Sequence, residues 1–139
     1  MPSETVDPTA DFRDRCDTIE QAYEFCLGYA AQGLAPEHAG ENGRQAREYL
    51  RRCAQALDGL GGSLTASVDR LAVDTAAAYH AFIRVIDRDA RDAQAAVELV
   101  LAQPAIGSQV IDNLNASIHL RALLTDLFLI DETLKAHAR

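Results

Sequence analysis

The chain has 139 residues, 48% of them hydrophobic, and a formal net charge of −8. This length suits one domain that buries its core without metals or disulfides, so residues 1–139 are expected to form a single helical-bundle domain behind a short tail at residues 1–7. Scattered basic residues in an acidic chain argue against nucleic acid or an anionic membrane as partner, since both are held by clustered Lys and Arg.

Other classes fall away on simple grounds. No apolar stretch approaches the roughly 20 residues of a membrane span. The first seven residues carry neither a basic cluster nor an apolar run, which points to a soluble cytoplasmic protein. Cys16, Cys26 and Cys53 form no CxxC and no Cys/His array with zinc spacing, so they read as small hydrophobes.

Pro8, Pro36 and Pro104 each open an apolar-periodic run, and Gly61-Gly62 separates two more. Proline is tolerated at the first position of a helix and damaging inside one. The chain therefore predicts an all-α fold, an antiparallel four-helix bundle divided near residues 33–36, 61–63 and 103–107, with helices C and D longer than A and B.

Helix A is expected from Thr9 to Gln32, with Asp7 as N-cap and Gly33 just past its end. Phe12, Cys16, Ile19, Tyr23, Cys26 and Ala30 form a heptad stripe along it, with Ala22, Phe25 and Tyr29 beside that stripe. Gly28 costs about 1 kcal/mol relative to alanine in a helix interior and marks either a close approach or a tolerated position. Helix B begins weakly because of Gly40 and Gly43, becomes firm near Arg44, carries the seam Ala46, Leu50, Cys53, Leu57, Leu60, and is stopped by the segment Gly59-Leu60-Gly61-Gly62, whose glycines supply a left-handed cap. An A–B hairpin turning at residues 33–36 places Cys16 level with Cys53.

Helix C is expected over Ser63 to Gln103, with a break or kink open at the alternating charges of residues 87–92. Helix D follows Pro104 and carries Ala116, Leu120, Leu123, Leu127, Ile130 and Leu134 at heptad spacing. Leu124 and Phe128 widen its apolar surface beyond one seam, which predicts cover by a second copy of the chain.

No catalytic pattern emerges. No glutamate has a histidine three residues later, as a di-iron bundle requires, so no metal or other cofactor is expected. Of the four histidines, His38, His80, His119 and His137, only His119 has a suggestive context. Ser117-Ile118-His119-Leu120-Arg121 resembles the histidine box of sensor kinases in outline alone, being one residue short and lacking the following proline. Asp112, Asn115 and His119 share a face if helix D is continuous.

Three functions are therefore weighed. The first is a non-enzymatic helical interaction module, an adaptor, chaperone or regulatory subunit that pairs with itself or with a partner protein helix. Its interface would use Phe25, Tyr29, Leu124 and Phe128. The second is a small-molecule sensor or carrier with a pocket lined by Tyr23, Tyr49, Tyr79 and His80, in which buried tyrosine hydroxyls need partners. A phosphotransfer or other enzyme comes third.

Overall fold

Pro8 heads the first helix, α1 (Pro8–Ala31), and Asp7 caps it by accepting a hydrogen bond from Thr9 N at 3.2 Å. The computed structural model describes residues 7–71 and 74–137; of the expected tail only Asp7 falls within them. Beyond Gly33, at φ +66°, a 3-10 turn at Pro36–His38 leads into α2 (Gly40–Leu57). Then follow α3 (Leu60–Leu71), α4 (Ala76–Leu101), α5 (Ser108–Ala116) and α6 (His119–Lys135). The described residues contain no strand, and the chain is all-α.

Among the described residues six α-helices stand where the prolines and glycines predict four. The expected breaks near 33–36 and 103–107 occur. The expected break at Gly61-Gly62 moves upstream, because Asp58 takes an extended ψ of 117° and Gly59 supplies φ +76°. Gly61 and Gly62 lie inside α3. Gly61 is glycine for a different reason: a Cβ there would stand 2.6 Å from Asp87 Oδ1 and 2.8 Å from Asp87 Cβ on α4. Predicted helix C starts too early, since α4 begins only at Ala76 and runs unbroken through the charges at 87–92. The expected length order also fails: α4 and α1 are longest, at 26 and 24 residues.

Predicted helix D divides at Ile118, whose φ of +62° is left-handed. Around it the polar side chains bond to backbone carbonyls, one local and one on α1. Ser117 Oγ donates to Leu114 O at 2.6 Å, and Asn115 Nδ2 reaches across to Cys26 O at 3.2 Å. Such bonds compete with the helical ladder. The division also explains why Ala116, the first residue of the predicted seam, is exposed while Leu120, Leu123, Leu127 and Ile130 are buried.

A β-branched residue in the left-handed region carries about 1–2 kcal/mol of steric strain. The Ile118 side chain is 51% exposed, so little burial is lost on removing it. Ile118→Gly is expected to raise unfolding stability by about 1 kcal/mol, read by urea titration. A loss of stability would show that Ile118 makes contacts worth more than its strain.

Side-chain bonds order α2 and α3 along α1. Arg15 Nη1 donates to Ala56 O and Asp58 O at the end of α2. Ser63 Oγ on α3 donates to Asp11 at 2.6 Å, Thr9 and Ser67 hydroxyls meet at 3.3 Å, and Arg70 pairs with Asp7. Thus α3 continues the course of α2 toward the α1 N-terminus. His80 lies 2.8 Å from Asp69, and Arg47 donates to Leu101 O and Gln103 O at 2.7 Å, so α4 runs back along both. In turn α6 packs on α4, and α5 on α1.

The buried stripe of α1 is Ile19, Ala22, Cys26 and Tyr29, which falls between the two stripes predicted for helix A. Every residue of the predicted helix B seam is buried. Cys26, rather than Cys16, is the thiol beside Cys53: burial first, and then Cys26 itself, pushes the Cys53 thiol up to about 12.

Candidate functional site

The main apolar face of α1 is consumed by α2, α3 and α5, and that of α6 by α4. Only the edges of α1 and α6 are left to face one another, and a groove runs between them. Its larger part is a cleft of about 490 Å³ whose walls include Phe12, Cys16, Leu71, Leu127, Phe128 and Leu134. The smaller part, about 270 Å³, includes Tyr23 and Leu124. Glu20 and Phe128 border both, so the two form one groove.

Phe128 projects at the waist of this groove and is 58% exposed. The waist is acidic. Burial raises the Glu20 carboxyl above its ordinary range, and Asp17, Glu24 and Asp131 reinforce that shift. Burial also pushes the Cys16 thiol up to about 12, with Glu20, Asp17 and Asp131 acting the same way, so this thiol is a poor nucleophile. Arg13 and Lys135 border only the larger cleft, where Lys135 pairs with Asp131, and Arg121 borders only the smaller.

Of the residues predicted for an interface, Leu124 and Phe128 line the groove. Tyr29 is buried, and its hydroxyl donates to Ile106 O at 2.6 Å. Phe25 stacks between Tyr29 and Tyr49, at centroid distances of 5.6 and 4.4 Å. The residues predicted for a ligand pocket occupy separate surroundings. Tyr23 is in the groove, Tyr49 is on Phe25, Tyr79 is edge-on to His137 at 6.0 Å, and His80 is on Asp69. Asp112, Asn115 and His119 do not share a helix face, because Ile118 ends α5 before α6 begins. Among the described residues, no three His, Cys, Asp or Glu side chains stand together as a metal site. No described helix is long and apolar enough to cross a membrane.

A second polar feature lies across α6 from Phe128. Asp126 faces Asp89 of α4, and its Oδ2 is sealed from solvent with no donor among the described residues. Burial pushes the Asp126 carboxyl up to about 7, with the hydrogen bond to Asp89 and the charge of Asp89 adding to it. The pattern was available in the sequence. Asp126 follows buried Leu123 by three and precedes buried Ile130 by four, and Asp89 stands likewise between Ile86 and Ala93. Carboxylates at such positions on two packed helices stand at the boundary of the core, and both Asp89 and Asp126 are half-buried.

No protein-family model, curated protein or solved structure matches this chain.

Proposed function

We propose that the chain is a non-enzymatic, self-associating interaction protein. In this reading the six helices act as four antiparallel rods: α1, α2 with α3, α4, and α5 with α6. Two copies pair through their α1–α6 faces. The observation that carries the proposal is Phe128, an exposed apolar knob beside an apolar cleft on the same face. A face holding both knob and hole is self-complementary under two-fold symmetry, in which each Phe128 fills the partner's groove. The charges fit the same pairing, since the acidic Glu20 at the waist and the flanking Arg13 and Arg121 on one face can meet their opposites on a second copy. The three free thiols suit a reducing compartment such as the cytoplasm.

Burying a phenylalanine contributes about 1.5–3 kcal/mol, and each dimer buries two. Phe128→Asp is therefore expected to weaken pairing at least about 100-fold in Kd. Sedimentation velocity over a concentration series should show a wild-type dimer and a monomeric variant with unchanged helical circular dichroism. A wild type that stays monomeric to millimolar concentration would refute the pairing. Native mass spectrometry showing a monomer with retained small-molecule mass would give the groove to a ligand instead.

A further inference from the structure

We infer that the α1–α6 groove binds small amphiphilic ammonium compounds, the cationic head lying between the Glu20 carboxylate and the Phe128 ring and the apolar tail in the larger cleft. Glu20 and Phe128 are the two residues that border both parts of the groove, so a carboxylate and an exposed ring meet at one waist. A cation set against an aromatic face is attracted by the ring quadrupole, and a nearby carboxylate adds direct attraction. From that waist the larger cleft continues along Phe12, Leu71, Leu127 and Leu134, an apolar channel for a tail. Its volume of about 490 Å³ lies within the range of small-molecule sites.

The preferred sign of charge follows from what surrounds the waist. Beyond burial, Glu20 is raised by Asp17, Glu24 and Asp131, and Cys16 by Glu20, Asp17 and Asp131. Two groups on one face of α1 thus sense negative charge, which a cation at the waist relieves. The groove's own cations leave that position open. Arg13 on α1 and Arg121 on α6 each stand about two turns from the waist, roughly 10 Å along the helix axis. At that separation exposed charges are largely screened at physiological ionic strength. Lys135 is held by Asp131 and Glu132 at 3.9 and 3.6 Å.

The site belongs to a single chain and stands whether or not two copies pair. Where they pair, a bound ammonium compound takes the place that the second copy's Phe128 would fill and drives the dimer apart. This second step rests on the pairing proposed above. By mass action, pairing then lowers the apparent affinity for the compound as protein concentration rises.

The probe is octyltrimethylammonium below its micellar concentration, compared with octanol and octanoate. Each is titrated into the intact, isotope-labelled chain and followed by amide NMR. Shift changes are expected along the groove edges of α1 and α6. The ammonium compound should bind at least about 5-fold more tightly than octanol, with octanoate weakest. Glu20→Gln should weaken the ammonium compound about 5-fold and leave octanol unchanged, the latter showing that the cleft is intact. Phe128→Leu, which keeps apolar bulk, should narrow the preference for ammonium over octanol. Equal binding of the three probes, shift changes outside the groove, Glu20→Gln without effect, or no binding at any protein concentration would each overturn the inference. Sedimentation with saturating ammonium compound should show the dimer dissociate, and a dimer that persists refutes the second step. A chain already monomeric without the probe refutes the pairing, while the titration still decides the site.

Discussion

Gly107→Ala is expected to cost about 3 kcal/mol of folding stability, lowering the thermal midpoint by roughly 10 °C. Gly107 has φ −97° and ψ 178°, a conformation open to any residue, so backbone freedom does not explain the glycine. Space does. A Cβ would stand 2.8 Å from Pro36 N, 2.9 Å from Leu34 O and 2.9 Å from Pro36 Cδ. Two of those atoms are backbone and the third belongs to a proline ring, so none can swing aside as a flexible side chain could. The 104–107 segment must then back away from the α1–α2 connection. Gly28→Ala is the control, since a Cβ there meets nothing within 4 Å. That change should stabilise by about 0.5–1 kcal/mol through helix propensity alone. Urea unfolding of the two variants separates crowding from propensity, and equal shifts would refute the steric account.

Gly107 illustrates what the sequence holds and what it hides. Helix ends governed by one residue's own chemistry were legible: Asp7 as a cap, Pro8 and Pro36 as openers, Gly33 as a left-handed stop. Ends governed by partners were not. Gly61-Gly62 has the look of a break, yet Gly61 is helical and small only because Asp87 crosses it. The true break comes one turn earlier, at Asp58 and at left-handed Gly59, the first glycine of the Gly59-Leu60-Gly61-Gly62 segment expected to stop helix B. Ile118 is the reverse case. No sequence rule puts a β-branched residue at φ +62°, and the flanking Ser117 and Asn115 bonds became visible only in the fold.

The candidate site divides in the same way. The exposed Phe128 on α6 was readable because it lies outside the heptad seam, whereas Leu124, picked out by the same spacing, is buried within the chain itself. The groove itself was not, because it depends on how far α1 and α6 stand apart, which is set by the other faces each commits to α2, α3, α5 and α4. Heptad counting chose the Phe12–Cys16 stripe of α1 as core. In the fold Ile19 and Cys26 of that stripe are core, whereas Phe12, Cys16 and Tyr23 stand at its edge toward α6 and form groove wall. The Asp89–Asp126 contact had a visible signal in its spacing. Reading it required knowing that α4 and α6 are neighbours, which no local pattern supplies.

The other large effect is expected at Ser108, which ties the end of α1 to the start of α5. Its hydroxyl donates to Tyr29 O at 2.6 Å and accepts from Leu34 N at 2.8 Å, while its own N–H donates to Leu34 O at 2.8 Å. Tyr29 completes the knot through its hydroxyl bond to Ile106 O. Ser108→Ala leaves Tyr29 O still bonded to Gln32 N, but strips Leu34 N of its partner. An unsatisfied amide in a buried setting costs about 1–3 kcal/mol, and the lost hydroxyl bond adds about 1 more, so a loss of about 2–4 kcal/mol is expected. Tyr29→Phe removes the neighbouring bond and should cost about 1–2 kcal/mol. Because both hold the same 104–108 segment against α1, the double variant should lose less than the sum, with a coupling of about 0.5 kcal/mol or more. Additive losses in the urea cycle would mean two separate bonds rather than one knot. A Ser108→Ala cost below about 0.5 kcal/mol would show that water takes over at Leu34 N.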